Sequence, residues 1–416
     1  MKSTKRRKTL YRKRLWPRLV LLVASIFLTL LLTEGMFALF PDLLPEPIRR
    51  HLDVSAGRTA KSIYERAYEH DPILEHRAML GFVGREETSE LSFEFRTVAL
   101  PGLEPWGWRS EEFDPKRSLD FIILGDSFAT GYGVEQAETL AGRIIDDYRR
   151  QGKQAFNLGL SNNTGTLQYE IILRKALEHY SPKKVLLMHF ENDYIENSFF
   201  SKWKQARRSG DSPDTRFPQS RGLWASVCAA QQDADSGVSV PREPRRMFSR
   251  TRTLLYRRSA VWNILRCSLH LHPYSLAQSG EFIGFGEVGY IASHEFRVQA
   301  TAHDRPCVRR GYEQARGALI RIKEMLDRRG IELCVMLIPL KESLLDPVDA
   351  DVDQFHVGRN GMAALCEEAG VKVIDPLASW QSLAREQQIY FPADGHWTST
   401  GHRLAFELVQ REFLGE

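Results

Sequence analysis

Gly125-Asp126-Ser127 directly follows the apolar run Phe121-Ile122-Ile123-Leu124, and Asp394-Gly395-His396-Trp397 lies near the end of the 416-residue chain. A buried strand that ends in a tight glycine turn lifts the next hydroxyl out of its sheet. A carboxylate and an imidazole close together supply a general base and the group that orients it. Ser, His and Asp are thus the parts of an activated oxygen nucleophile, and their chemistry is acyl transfer through a seryl ester. The catalytic candidates are Ser127, His396 and Asp394; Asp126 reads as a brace of the turn rather than a reacting group. Trp397 reads equally as a neighbour of the imidazole or as a core residue. His396 and His402 with Asp394 offer an alternative as metal ligands, but no matching spacing elsewhere supports it.

The elements that must position these residues are legible as apolar runs. Five look like buried parallel strands: Phe121–Leu124, Gln154–Leu158, Lys184–Phe190, Glu332–Ile338 and Val371–Ile374. Helical spacing lies between most of them. Leu140, Ile144, Ile145 and Tyr148 mark one face, Ile172, Ala176 and Tyr180 a second, and Ala318, Ile320, Ile322 and Met325 a third. Leu404, Leu408 and Phe406, Val409, Phe413 mark the last helix, with Thr398 or Ser399 as N-cap. Alternating elements of this kind predict a parallel sheet covered on both faces. Ligands of such sheets bind beyond the carboxyl ends of the strands. Gly125–Ser127, Asn157–Asn163, Glu191–Asp193 and Asp394–His396 would all be delivered to that edge.

Together these blocks resemble the SGNH (GDSL-type) hydrolase family, over roughly residues 119–196 and 310–414. The nucleophile block matches Ile123–Phe128, and the second block matches Asn157–Asn162, with Gly159 in its turn and Asn162 where the family has Gly. The third matches Phe190-Glu191-Asn192-Asp193, with Phe190 in place of Gly. In the last block Asp394 stands two residues before His396; the family's usual position, three before, holds Ala393. The Asp-x-His spacing is similar to the membrane-anchored branch that includes alginate O-acetyltransferase-like proteins. The resemblance implies an α/β three-layer sandwich around a five-stranded parallel sheet. It also implies an oxyanion hole made from the Ser127 and Asn162 main-chain N–H groups and the Asn192 amide, with Gly125, Asp126 and Gly159 in support. No metal and no cofactor is implied.

Outside these blocks the chain is uneven. Nine of its 57 basic residues fall in residues 1–18, where no acidic residue occurs, leaving 48 basic against 53 acidic residues in the remainder. The body is mildly acidic, which argues against a nucleic-acid partner. Leu19–Leu32 carries no charge and, past Glu34 toward the outer end, the apolar run continues to Phe40; Leu19–Phe40 is 22 residues, roughly 33 Å as a helix and enough for a hydrocarbon core of about 30 Å. A cleaved signal peptide is the rival reading. No small-x-small cleavage site follows, which favours an uncleaved transmembrane helix. The basic tail predicts a cytoplasmic N-terminus at a bacterial inner membrane, with the remainder periplasmic or extracellular.

The expected organisation is a basic tail (1–18), an anchor (19–40), an extension (41–118) and a hydrolase-like domain (119–416) with an insertion at about 197–308. Within that insertion, Ser209–Pro244 reads as irregular and mobile, Thr253–Leu269 as a helix, and Arg242–Arg258 as an arginine cluster. Of five cysteines, Cys334 and Cys366 read as buried thiols, and a disulfide among Cys228, Cys267 and Cys307 is open. The functional expectation is a serine-dependent esterase acting on an extracytoplasmic glycan. An O-acetyltransferase supplied by a multi-spanning acetyl-donor protein, and a non-catalytic glycan-binding scaffold, are the alternatives.

Overall fold

The computed structural model describes residues 3–40, 43, 63–87, 91–161, 164–209, 259, 261, 281–285, 288–292, 306–345, 356–391 and 394–415. The chain forms two compact units, Met1–Ala60 with Pro241–Ser279 and Lys61–Val240 with Gly280–Glu416.

In the first unit, helix α1 (Ser3–Leu39) carries the apolar run. Leu21, Leu22, Phe27 and Leu32 are each more than half exposed. The hydroxyls of Ser25, Thr29 and Thr33 donate back to the carbonyls of Leu21, Ser25 and Thr29 at 2.8, 2.9 and 2.8 Å. Glu34 accepts from the Ser259 hydroxyl at 2.9 Å and the Val261 N–H at 3.1 Å. Among the described residues no helix is long and apolar enough to cross a membrane. The side chains of Leu19, Val20 and Val23, inside the expected span, lie outside those residues. The expected helix therefore forms, but a membrane crossing does not follow from it.

The second unit opens with α2 (Ile63–Ala67), β1 (Tyr68–Asp71), β2 (Glu75–Met79), β3 (Val83–Glu87), β4 (Ser92–Arg96) and β5 (Trp106–Gly107). Strands β1, β2 and β5 form an antiparallel sheet, and β3–β4 a hairpin. Then come β6 (Phe121–Leu124), α3 (Ser127–Thr130), α4 (Leu140–Arg150), β7 (Ala155–Asn157), α5 (Thr166–His179), β8 (Lys184–His189) and α6 (Asn192–Ser209). A hairpin, β9 (Glu281–Phe285) with β10 (Val288–Ala292), precedes α7 (Pro306–Asp327), β11 (Glu332–Leu337) and α8 (Lys341–Leu345). The chain ends through α9 (Val357–Glu368), β12 (Lys372–Ile374), α10 (Leu377–Leu383) and α11 (Ser399–Val409).

The central sheet has five parallel strands in the order β12-β11-β8-β6-β7. Each strand is apolar on both faces because both are covered. Ile122, Leu124, Val185, Leu187 and Val335 pack with α5, α7 and α9; Phe121, Ile123, Leu186, Met188 and Met336 pack with α4, α10 and α11. The result is the expected α/β/α sandwich. Its chain reverses direction across the sheet at β6, so the carboxyl ends of β6 and β8 frame the crevice where ligands of such sheets bind.

Three sequence readings change in detail. The buried stripe of α7 is Ala315, Ala318, Leu319, Ile322 and Leu326, so Ala318 and Ile322 lie on it as expected while Ile320 and Met325 stand beside it, only partly buried. Strand β7 stops at Asn157, and Leu158 beyond it donates its N–H to the Ile123 carbonyl at 2.8 Å. In the extension, Leu74, Leu100, Leu103, Trp106 and Trp108 share one core with Ile122 and Leu124, so this segment is built into the catalytic fold. Cys334 and Cys366 are buried free thiols, each pushed up to about 12 by burial. Cys228, Cys267 and the Cys307 side chain lie outside the described residues, as do Arg242–Arg258 and, apart from Ser259 and Val261, the helix expected over Thr253–Leu269.

Candidate active site

The turn after β6 is shaped by Gly125, whose φ is +153°. A Cβ there would lie 2.9 Å from the Cβ atoms of both Ala129 in α3 and Met188 in β8, so only glycine fits between them. Asp126 follows as N-cap of α3, its Oδ1 accepting the Phe128 N–H at 2.9 Å. This is the bracing role expected of it. Ser127 is thereby raised as the first residue of a short helix, and its own N–H has no hydrogen-bond partner among the described residues.

Arg109 clamps the far end of α3. It is buried, and its Nη1 donates to the carbonyls of Thr130 at 2.7 Å and Gly131 at 2.5 Å. Its Nη2 donates to Glu94 and Val134 carbonyls at 2.8 and 2.7 Å. The guanidinium also lies 5.2 and 5.3 Å from the ring centroids of Phe93 and Phe95. Nothing in the spacing around Trp106-Gly107-Trp108-Arg109 signalled this.

The structure brings the three expected side chains into line. His396 Nε2 lies 2.7 Å from Ser127 Oγ, and His396 Nδ1 lies 2.5 Å from Asp394 Oδ1. The same Asp394 oxygen accepts the main-chain N–H of His396 at 2.8 Å. The Asp-x-His spacing is therefore well suited to orienting the ring, because the carboxylate folds over its own turn and meets both N–H groups of the residue two positions on. Burial alone would raise the Asp394 carboxyl. The His396 charge and hydrogen bonds, and the Lys341 ammonium, more than offset this and hold it well below the usual carboxylate range. Lys341, buried at the start of α8, also donates to the Asp394 carbonyl at 3.0 Å and fixes the loop. Phe128 and Tyr132 hold the imidazole between rings at 5.1 and 4.8 Å.

Trp397 is a core residue, fully buried and packed on Phe128 and Trp380. His402 is engaged elsewhere: its Nδ1 accepts the Leu140 N–H at 3.1 Å, and burial lowers it to about 3, keeping it neutral. Among the described residues no group of three or more His, Cys, Asp or Glu is placed to hold a metal.

The second block is anchored by Asn157. Its Nδ2 donates to the Arg109 and Ala129 carbonyls, both at 2.9 Å, and its Oδ1 accepts the Gly159 N–H at 3.0 Å. A Cβ on Gly159 would meet that of Ala129 at 2.7 Å. Ser161 receives support from the extension: its N–H donates to Tyr68 Oη at 3.1 Å, and its carbonyl lies 3.2 Å from His76 Nε2. Asn162 lies outside the described residues. In the third block Asn192 begins α6, half-buried, with its Oδ1 buried and unpartnered. Phe190, standing where the family has Gly, fills space against Phe128 at 4.8 Å.

A second polar group sits behind the nucleophile turn. His189 Nδ1 and Asp193 Oδ2 are 2.9 Å apart, and Tyr169 Oη donates to Asp193 Oδ1 at 2.8 Å. All three residues are buried, as is Asp126, and among the described residues Asp126 Oδ2 and His189 Nε2 have no partner.

A serine hydroxyl, an imidazole and a carboxylate in hydrogen-bonding sequence, at the switch point of a five-stranded parallel sheet, define an acyl-transfer enzyme of the SGNH/GDSL kind, an ester hydrolase or O-acyltransferase. Residues 296–415 match the family described as the SGNH hydrolase-like domain of acetyltransferase AlgX. No curated protein matches the sequence. Similar solved structures include a member of the lipolytic G-D-S-L family from Veillonella parvula, at 14% identity and TM-score 0.36, covering 72% of this chain and 100% of that one. Another is an acetylxylan esterase from Geobacillus stearothermophilus, at 11% identity and TM-score 0.34, covering 72% of this chain and 96% of that one. TesA is similar at 10% identity and TM-score 0.36, covering 70% and 96%.

Proposed function

We propose that the chain is a membrane-anchored enzyme that removes ester-linked acyl groups from an extracytoplasmic glycan through an acyl-Ser127 intermediate. The observation that carries this reading is the unbroken line Asp394 Oδ1–His396 Nδ1 and His396 Nε2–Ser127 Oγ, at 2.5 and 2.7 Å. With Nδ1–H donated to Asp394, Nε2 is left to accept the Ser127 hydroxyl proton. Ser127 Oγ attacks the acyl carbonyl carbon as that proton moves to Nε2. The oxyanion is met by the Ser127 N–H, the Asn192 amide and an N–H at Asn162. As the tetrahedral intermediate collapses, the ester C–O bond breaks and His396 returns the proton to the leaving alcohol. Water then attacks the seryl ester with His396 again as base. A non-catalytic scaffold rests on the missing glycines at Asn162 and Phe190; Phe190 packs against Phe128 at 4.8 Å, and Asn162 lies outside the described residues.

A burst of nitrophenolate from p-nitrophenyl acetate, equal to the enzyme concentration and absent in S127A, tests the intermediate. Asn192→Ala is expected to reduce kcat by about 10²–10³ with little change in KM, because the donor acts on charge that develops in the transition state. Steady-state kinetics on the same ester checks this. An equal loss in KM would assign Asn192 to ground-state binding.

A second reading, O-acetyl transfer to a sugar hydroxyl, is favoured by the match of residues 296–415 to an acetyltransferase domain. A single anchor cannot move acetyl groups across a membrane, so this reading needs a multi-spanning donor. Product analysis with glycan present separates the two: free acetate marks the esterase, an acetylated sugar the transferase.

The anchor reading is supported by α1, whose apolar side chains face outward while its hydroxyls are satisfied by its own carbonyls, as in a lipid-facing helix. A C-terminal reporter active only outside the cytoplasm is expected to give signal; a silent reporter on a stable full-length fusion would refute this topology.

A further inference from the structure

We propose that Asp126 works as a neutral acid, donating its Oδ2 proton to His189 Nε2 directly or through one buried water, and so ties the nucleophile turn to the turn carrying Asn192. Strands β6 and β8 are parallel with Leu124 paired to Leu187. The ladder ends there, and beyond it Asp126 and His189 lie close enough for the charge of each to bear on the other. Both Asp126 Oδ2 and His189 Nε2 are buried and without partners among the described residues, which is costly unless they satisfy each other.

The hydrogen bonds decide where the proton sits. Burial pushes the Asp193 carboxyl well up, and hydrogen bonds oppose this: Tyr169 Oη–H donates to it at 2.8 Å, and His189 Nδ1, 2.9 Å away, adds a second side-chain donor when it carries the ring hydrogen, which favours the charged form of Asp193. With Nδ1 carrying the hydrogen, Nε2 of a neutral imidazole presents a lone pair. An ionised Asp126 would face it with another lone pair, whereas a protonated Oδ2 satisfies both. Among the described residues the Asp126 carboxyl accepts only the Phe128 N–H. The charged or titratable groups facing Asp126 are His189 at the end of β8, Asp193 in the first turn of α6, Tyr169 on α5 and His396 from the loop before α11. Burial, reinforced by the Asp193 charge, pushes its carboxyl up to about 7. Burial likewise holds His189 neutral, lowered to about 3. Asp126, His189 and Asp193 are positioning residues here: they hold the Ser127 N–H and Asn192 in place for the oxyanion.

The inference rests on Ser127 as nucleophile only for its effect on rate, so the test reads stability as well. Asparagine mimics a protonated carboxyl, donating where the acid proton was. D126N is therefore expected to slow fluorophosphonate labelling only severalfold, and D193N, which loses a double acceptor, by at least about 50-fold. In wild type the folded state retains the Asp126 proton up to about 7, while the unfolded chain loses it near 3.8. Stability therefore falls as pH rises across that window and levels above it. The melting temperature of D126N is expected to gain on wild type from about pH 4 to about pH 7. A D193N that melts far below D126N, or does not fold, supports the assignment. A mild D193N with a severe D126N would put the proton on Asp193, and two equally severe variants, or no pH-dependent gain, would also overturn the proposal. If no variant or wild type labels, the nucleophile assignment fails while the melting curves still locate the proton.

Discussion

Ser127→Ala is expected to abolish covalent labelling by a fluorophosphonate and to lower turnover of short-chain nitrophenyl esters by a factor on the order of 10⁴–10⁶. The side chain is the only hydroxyl in line with His396 Nε2 among the described residues, and alanine leaves the imidazole with nothing to deprotonate but water. The fold is not at risk. The turn is set by Gly125 and by the Asp126 cap, neither of which uses Ser127 Oγ. An unchanged melting temperature with lost labelling is the expected pair of results. Labelling that survives in S127A would move the nucleophile elsewhere.

Asp394→Asn is expected to reduce kcat by about 10⁴, on the scale seen when a triad carboxylate is replaced by its amide. Asp394 Oδ1 takes two N–H donors, the His396 ring and the His396 main chain. An amide can keep the main-chain bond with its oxygen, but it can also turn its NH₂ toward Nδ1, which drives the ring hydrogen to Nε2. In that tautomer His396 donates toward Ser127 instead of accepting from it. Because Asp394 is held well below the usual carboxylate range, it stays charged through mildly acid pH, and any acid loss of activity between about 4 and 7 arises elsewhere. Steady-state kinetics of D394N from pH 5 to 9 checks this. Wild-type activity in D394N would mean that another carboxylate orients the ring.

The sheet was readable because strands covered on both faces are written as continuous apolar runs, and Phe121–Leu124 or Glu332–Leu337 have no other use for such residues. The site was readable for a related reason. Gly-Asp-Ser and Asp-x-His act within a few residues of chain, so their geometry is local and spacing encodes it. What escaped was the polar interior. Arg109, His189, Asp193 and Lys341 are charged or titratable types, and nothing in their neighbours along the chain says they are buried. Their partners lie on other elements: carbonyls after α3 for Arg109, a loop 53 residues away for Lys341. The place of the extension in the core was hidden similarly. Strand β2 reads Glu-His-Arg-Ala-Met, and its buried face is His76 and Ala78, one polar and one small. Ile320 illustrates the opposite error, an apolar residue assigned to the core that sits beside the true stripe of α7.

The central claim is a covalent ester on Ser127, and mass spectrometry of the intact and digested protein after reaction with p-nitrophenyl acetate tests it most directly. The account predicts a mass gain of one acetyl group, carried by the peptide that contains Gly125-Asp126-Ser127 and absent in S127A. No adduct in a protein that hydrolyses the ester, or an adduct confined to a peptide without Ser127, would contradict it.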